Sequence, residues 1–562
     1  MIRRIKLLEI FFCLWFFLLF LRLSYWQIIK ASVLGKTGLS QYDRTILLPA
    51  QRGEIRSSDN YPLVGNGESY MSYIEPEKFR LSQEESSIFY SLIPASDSAR
   101  KIVSEAAGSR LFWLSLAHGI SPVAKAKLEA LKLPGLGFEY EPVRTYPEGT
   151  GSAYLTGFVG KNEMGEAQGY FGLEGFYDRI LSGKPGKLLQ ELDALGKPML
   201  IGSQDKILPQ PGQNLITSID RTIQHLAYQR LAEGLEKYQA KSGTVSVMDV
   251  QTGQILAMVS LPGYDPKAYT RYPENFYPNP IISEGYEPGS TFKTIVMSSA
   301  LDAGVVNPDT ICETCTGPQL ISGYLLKNYN DRYYPKSTMT DVILHSDNVG
   351  MIFVGRKLGK SRILSYVRKF GFGKLSGIDL QEEDTPEIRE DDRWQDVDWA
   401  TLAFGQGIAV TRLQMLAAVN AIASGGNLYS PRLVTGIETA GVVKKVPAPP
   451  PVRVISQKAA ATMTAMMING VNNGEVRYYK VPGYMVAGKT GTAQVPIAGH
   501  YDEEKLIASF VGFAPVENPR FTMLVTLREP QTSPWGSTTA APLWFGIAEG
   551  IFRYLHLPPK LR

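Results

Sequence analysis

From Ile10 to Leu21 the chain is unbroken apolar sequence, rich in Phe and Leu and held between Glu9 and Arg22. A run of that length alone matches the core of a cleavable signal peptide better than a membrane span, which needs roughly 20 residues to cross about 30 Å of hydrocarbon. The wider stretch from Leu7 to Ile29 is long enough. Arg22 can snorkel from near its end, and Tyr25 and Trp26 suit a membrane interface. No good small-x-small cleavage site follows, Ala31-Ser-Val33 being a poor match, so the sequence predicts an uncleaved single-pass anchor in the cell membrane. Arg3, Arg4 and Lys6 mark its N-terminal tip as cytoplasmic, which puts the remainder of the chain on the extracytoplasmic side.

That remainder has ordinary globular composition. The chain's 562 residues, 44% hydrophobic and 20% charged, suggest about three domains and exclude disordered, collagenous and polytopic membrane classes. A net charge of only +4 excludes a nucleic-acid-binding protein. Three Cys (Cys13, Cys312, Cys315) and five scattered His exclude a disulfide scaffold and leave no cluster of four metal ligands. Neither metal nor cofactor is therefore expected, and any catalysis must use Ser, Lys, Asp or Glu. Cys312-Glu-Thr-Cys315 lacks the context of a redox motif and reads as a local loop disulfide or two idle thiols. Cys13 is apolar filling of the anchor.

Leu208-Pro-Gln-Pro-Gly-Gln213 separates two textures and sets a boundary near residue 210. Residues 1–30 form the tip and anchor. Residues 31–210 carry many turn signals, such as Arg52-Gly53 and Gly183-Lys-Pro-Gly186, and few long periodic segments, which predicts an elongated, strand-rich pedestal. Residues 211–562 open with a helix that Asp220 can cap, whose apolar face runs Ile223, Leu226, Ala227, Leu231 and Leu235. Strand signals follow at Thr244 to Val250 and Gln254 to Ser260, and again at Tyr484 to Val495, Leu506 to Phe513 and Phe521 to Leu527. Helical patterns lie between, including Thr411 to Ala423 and Ser456 to Ile468. The class is α+β: an antiparallel five-stranded sheet packed with helices, its first and last elements meeting. Pro447-Ala-Pro-Pro-Pro451 reads as a rigid connector.

Three short motifs fall in this last region: Ser290-Thr-Phe-Lys293, Ser346-Asp-Asn348 and Lys489-Thr-Gly491. Alone each is weak, since Ser203-Gln-Asp-Lys206, Ser58-Asp-Asn60 and Lys36-Thr-Gly38 repeat all three by chance. Order and context distinguish the later set. Ser290 follows Pro288-Gly289 and precedes a helical apolar face of Phe292, Ile295, Val296 and Ala300, so Lys293 lies one turn on, on the same side, where amine and hydroxyl can touch. A helix N-terminus also offers free N–H groups to a developing oxyanion, as acyl transfer requires. Standing alone, Ser290 would more simply be a helix cap beside an exposed Lys. Lys489 lies on a strand whose Gly488 and Gly491 allow a close backbone approach, suiting an extended peptide, although a bulged edge strand with a solvated Lys would look the same.

With Tyr286-Glu-Pro-Gly-Ser-Thr-Phe-Lys293, Ala487-Gly-Lys-Thr-Gly-Thr-Ala-Gln494, Phe404-Gly-Gln-Gly407, Thr411 and Arg52-Gly-Glu-Ile55 in that family's order, the sequence resembles a class B penicillin-binding protein, a monofunctional peptidoglycan transpeptidase. The resemblance runs from the anchor to the last strand and favours the division type through Ser509 to Pro515, Asn518-Pro-Arg520 and Ala540-Ala-Pro542. It implies a penicillin-binding/serine β-lactamase-like transpeptidase domain behind a dimerisation-type pedestal. It further implies that Ser290 attacks the penultimate D-Ala carbonyl of a stem peptide and passes the acyl group to a neighbouring amine, and that β-lactams acylate the same Ser. Lys293 would be the base, its pKa lowered by burial and by Lys489. Ser346 would relay a proton, Asn348 would hold the peptide, Thr490 and Thr492 with Gly491 would bind the terminal carboxylate end, and the N–H groups of Ser290 and Thr492 would form the oxyanion hole. Asp347 would face away as a solvated turn acid. Expected partners are a polytopic membrane glycan polymerase and division proteins. Two departures, Arg56-Ser-Ser-Asp-Asn60 and Tyr154 where a His is common, put pedestal contacts in doubt. A D,D-carboxypeptidase and a catalytically idle divisome scaffold remain alternatives; a class A β-lactamase is disfavoured by the absence of E-x-x-L-N.

Overall fold

The computed structural model of the chain describes residues 2–34, 43–106, 113–191, 204–497 and 500–560. The chance copies at Lys36-Thr-Gly38 and at Ser203 lie outside the described residues. The apolar stretch is a helix, Ile2–Ser24, continued by a π-helical turn, Tyr25–Ile29, and together they are long and apolar enough to cross a membrane. The Arg22 guanidinium lies 5.3 Å from the centre of the Trp26 ring, a pairing of snorkelling cation and interfacial aromatic.

Two compact units are present. The smaller, 1–52 with 182–212, holds that helix and an antiparallel sheet in which Gly186–Glu191 is flanked by Asp43–Leu48 and Gln204–Ile207. The larger joins 53–181 to 213–562. Its first part contains strands Ile55–Arg56, Pro62–Ile74, Leu114–Ile120 and Leu136–Thr145, in one sheet with Asn214–Thr217 and Val434–Thr439 from the second part. It also contains helices the sequence reading overlooked, Gln83–Leu92, Ser96–Ala106 and Pro122–Ala130. They are short, so no long periodicity announces them. Their caps were legible: Ser82 and Glu85 form a reciprocal capping box, and Ser121 caps a helix with Pro at its first turn.

The pedestal segment shares its core with the rest of the unit. Ile55, Leu63, Tyr154 and Phe158 are packed in one buried cluster with Ile255, Tyr264 and Phe292. Both departures from the family pattern are accommodated. Tyr154 donates its hydroxyl to the Pro262 carbonyl at 3.1 Å, and Ser57 and Asn60 shape the turn between two strands, Asn60 at φ 66°. Arg144 is almost buried, bonded to Glu174 at 2.7 Å, Asn66 at 2.8 Å and the Gly53 carbonyl at 2.6 Å.

The second part is built on five antiparallel strands: β1 (Ser242–Asp249), β2 (Ile255–Leu261), β3 (Ala487–Ile497), β4 (His500–Ala514) and β5 (Phe521–Arg528), in the order β2-β1-β5-β4-β3. First and last elements meet, as the pattern predicts: Val245 pairs with Val525, and Thr244 bonds Thr526 across the strands at 2.7 Å. Alternate residues explain the burial of both faces. Ala508 and Phe510 pack with Val245, Met523 and Trp544 beneath helices α1 (Arg221–Tyr238) and α5 (Ala540–Tyr554), while Ile507, Val511 and Phe513 join the main core. That core holds α2 (Lys293–Asp302), α3 (Asn348–Leu358) and α4 (Gln457–Asn473). Strand β3 lies at the end of the sheet order, so among the described residues it pairs with a strand on one side, β4.

Candidate active site

Ser290 sits in a 3-10 turn, Gly289–Thr291, leading into α2, which is buried from Lys293 to Ala300. The turn is fixed by close neighbours. Gly289 has φ 54° and donates its N–H to the Gly405 carbonyl at 3.0 Å, while Glu287 accepts the Gly407 N–H at 3.0 Å, which explains why Phe404-Gly-Gln-Gly407 accompanies the Ser. Strand β3 runs alongside: a Cβ on Gly491 would come within 2.9 Å of the Thr291 side chain and 3.2 Å of the Pro288 carbonyl. Gly488 and Gly491 are thus required by the protein's own packing, Gly488 against Phe510.

Lys293 is fully buried, and its amine lies within hydrogen-bond distance of three oxygens: the Ser346 carbonyl at 2.6 Å, Asn348 Oδ1 at 2.7 Å and Ser346 Oγ at 3.3 Å. Among the described residues the Ser290 hydroxyl has no hydrogen-bond partner, so its expected contact with Lys293 is not made here. Ser346, at φ 53°, also receives a bond from Lys489 Nζ at 3.0 Å and so bridges the two lysines. Lys489 further donates to Thr490 O at 3.1 Å and Thr490 Oγ1 at 3.4 Å. Thr492, half-buried on the same strand, accepts the Gly536 N–H on its hydroxyl at 3.2 Å.

Burial pushes Lys293 well below the usual ammonium range; Lys489 adds to the fall and Asp347 opposes it. Burial lowers Lys489 to about 8, opposed by Glu475. Both causes named for Lys293 from sequence are therefore present. Asp347 corrects the reading made of it. It is 1% exposed, caps α3 by accepting the Gly350 N–H at 2.8 Å, and leaves Oδ2 buried without a partner among the described residues. The Asn348 amide accepts from Lys293 on Oδ1 and donates through Nδ2 to the Lys327 carbonyl at 3.0 Å. Asn328, which no motif flagged, accepts the N–H groups of Asn348 and Val349 at 2.8 and 3.0 Å and fixes this helix start from a loop 20 residues away. Cys312 and Cys315 are joined in a disulfide, and Cys13 is free and exposed.

Such an arrangement, a half-buried hydroxyl at a helix start beside a depressed amine and a second ammonium on an edge strand, is equipped for acyl transfer to and from a carboxylate-bearing peptide. A family model described as penicillin binding protein transpeptidase domain matches residues 243–551, and one described as penicillin-binding protein dimerisation domain matches 47–217. Stage V sporulation protein D of Bacillus subtilis (strain 168) is 29% identical over 99% of this chain and 86% of its own length. The peptidoglycan D,D-transpeptidase FtsI of Escherichia coli (strain K12) is 30% identical over 96% and 89%. The crystal structure of a peptidoglycan synthetase from Bifidobacterium adolescentis matches with a TM-score of 0.74 at 25% identity, over 92% of this chain and 98% of that one.

Proposed function

Because the chain belongs to the penicillin-binding protein transpeptidase family, in its class B form with a dimerisation domain, we propose that it crosslinks peptidoglycan as a D,D-transpeptidase through an acyl-enzyme on Ser290. The observation that carries this reading is the hydrogen-bonded line Lys293–Ser346–Lys489, assembled from three distant segments beside the Ser290 turn. Ser290 Oγ attacks the penultimate D-Ala carbonyl and gives its proton to neutral Lys293, exchanging for one of the bonds that Lys holds at rest; catalytic bonds commonly tighten only with substrate present. The N–H groups of Ser290 and Thr492 receive the oxyanion. Ser346 carries the proton toward the leaving nitrogen, and Lys489, Thr490 and Thr492 hold the terminal carboxylate while Gly491 keeps the strand close to the nucleophile. An acceptor amine then takes the acyl group from Ser290.

The functional division follows the same reading: anchor 1–30, pedestal 31–210 and transpeptidase 211–562, supported by the two family matches at 47–217 and 243–551. Arg3, Arg4 and Lys6 support a cytoplasmic N-terminus and extracytoplasmic catalysis, beside a polytopic glycan polymerase and division proteins as proposed partners. The septal role is supported by the names of the relatives, FtsI among them. β-Lactams acylate Ser290 in place of the peptide.

The test incubates the full-length protein in detergent with nascent glycan strands bearing pentapeptides. Crosslinked dimers are expected, and none from Ser290→Ala. Trimmed tetrapeptide alone would make the protein a D,D-carboxypeptidase; neither product would leave an idle scaffold.

A further inference from the structure

A cavity of about 300 Å3 opens off the site behind the Ser346–Lys489 hydrogen bond. Its size is at the lower end of the roughly 300–1,000 Å3 usual for small-molecule sites. Ser346, Lys489 and Thr490 form its inner wall; Ser290 and Lys293 do not line it. Its outer wall carries exposed Arg332, His345, Glu475 and Arg477.

Among the described residues both arginines of that wall, Arg332 and Arg477, lack a carboxylate partner, although Arg477 also donates to the Tyr478 hydroxyl. Arg332 lies 5.3 Å from the centre of the Tyr334 ring, which is itself stacked on His345 at 4.0 Å with planes 3° apart. Arg477 lies 4.4 Å from the Tyr478 ring centre and donates to the Gly474 carbonyl at 3.2 Å. Aromatic faces hold both guanidinium groups, whose planar forks suit a carboxylate. Glu475, also without an ion pair among the described residues, supplies one negative charge near Lys489. Three cations around one anion complement a small molecule with a carboxylate and an ammonium close together.

Acylation as proposed above makes such a molecule. As the Ser290 Oγ–carbonyl bond forms, the carbonyl–nitrogen bond of the terminal residue breaks, and the Ser proton reaches that nitrogen by way of Lys293 and Ser346. The freed amine takes a second proton from water and becomes a zwitterion. Its carboxylate begins at Thr490, on the wall that the cavity shares. Left in place, the amine would attack the new ester and restore the substrate. Resting on the transpeptidase reading, we propose that this cavity is the exit site for the released D-α-amino acid, drawing it from the acyl carbonyl before the acceptor arrives.

The test uses the full-length protein in detergent, a D-Ala-D-Ala-terminated peptide as substrate and free D-alanine as the added probe, with product inhibition as the readout. Arg332→Ala/Arg477→Ala is expected to raise the inhibition constant for D-alanine roughly tenfold, as befits loss of charge-assisted bonds. Glu475→Gln should weaken inhibition by D-alanine but not by D-lactate, which has no ammonium. Equal D-alanine inhibition of wild type and a folded double variant would overturn the exit site, as would identical responses of D-alanine and D-lactate to Glu475→Gln. Failure of penicillin to label Ser290 in the wild type is a separate result, and it removes the transpeptidase reading itself.

Discussion

Lys489 holds its proton only to about pH 8, and the proposed acylation needs it charged while Lys293 is neutral. Both amines are pushed down by burial, but unequally. The charge of Lys489 adds to the fall of Lys293, whereas Glu475 supports the charge of Lys489. The second-order rate of penicillin acylation should therefore fall as pH rises above about 8. With its midpoint there, Lys489 remains charged in about one molecule in ten at one pH unit higher, so the rate near pH 9 falls about tenfold from its plateau. Lys489→Arg removes the titration, because guanidinium stays protonated beyond pH 12. The plateau drops, since a planar fork cannot reproduce the bonds to Ser346 Oγ and the two Thr490 oxygens, but the alkaline limb disappears. Stopped-flow labelling with a fluorescent penicillin from pH 6 to 10, with circular dichroism to confirm folding, measures both curves. An alkaline limb that survives in Lys489→Arg, or a wild-type midpoint near 10, would refute the assignment.

Lys293→Arg keeps a cation but removes a titratable base, and acylation should drop roughly 10²- to 10⁴-fold at every pH; a rate near wild type would show that the base lies elsewhere. Lys489→Met should raise thermal stability at pH 7. A fall from 10.5 to about 8, at about 1.4 kcal/mol per pH unit, costs the native state up to about 3.5 kcal/mol. That cost is complete below pH 8 and fades as pH rises toward 10.5, where the unfolded chain also loses the proton, so a melting temperature that does not rise at pH 7, or an advantage that grows with pH, contradicts it. Glu174→Ala strands Arg144 in the pedestal core and should cost about 3–5 kcal/mol in urea unfolding; a change under about 0.5 kcal/mol would mean water reaches the site.

The catalytic sheet was legible because each strand carries its own signal. Phe521 to Leu527 is apolar on both faces and pairs with a β-branched strand that must find a partner, so the meeting of chain ends follows from pattern alone. Ser290 and Lys293 were legible because helix geometry sets their spacing. The direction in which Lys293 points was not. It is decided by Ser346 in a left-handed conformation and by Asn348 at the start of α3, and that start is held by Asn328 from a loop with no motif. The pedestal helices carry capping signals at Ser82 and Ser121, but at nine to eleven residues they are too short to show a sustained helical periodicity.

Asp347 shows why a motif's middle residue can matter without touching a substrate. Asp347 is the buried carboxylate that acts on the base, and it is spent on capping α3 and on opposing the fall of Lys293. With Lys293 neutral and Lys489 charged, the two amines and the carboxylate balance, yet the positive charge lies on the edge strand and the negative charge beneath the helix start. A neutral peptide laid along β3 would leave Lys489 desolvated with only hydroxyl and carbonyl oxygens for partners. A peptide ending in a carboxylate supplies the missing counter-charge where Thr490 and Thr492 can also bond it. Under the proposed mechanism, selectivity for a free C-terminus follows from where the buried charges lie, and Lys489, the proposed carboxylate binder, also lowers the pKa of Lys293, the proposed base.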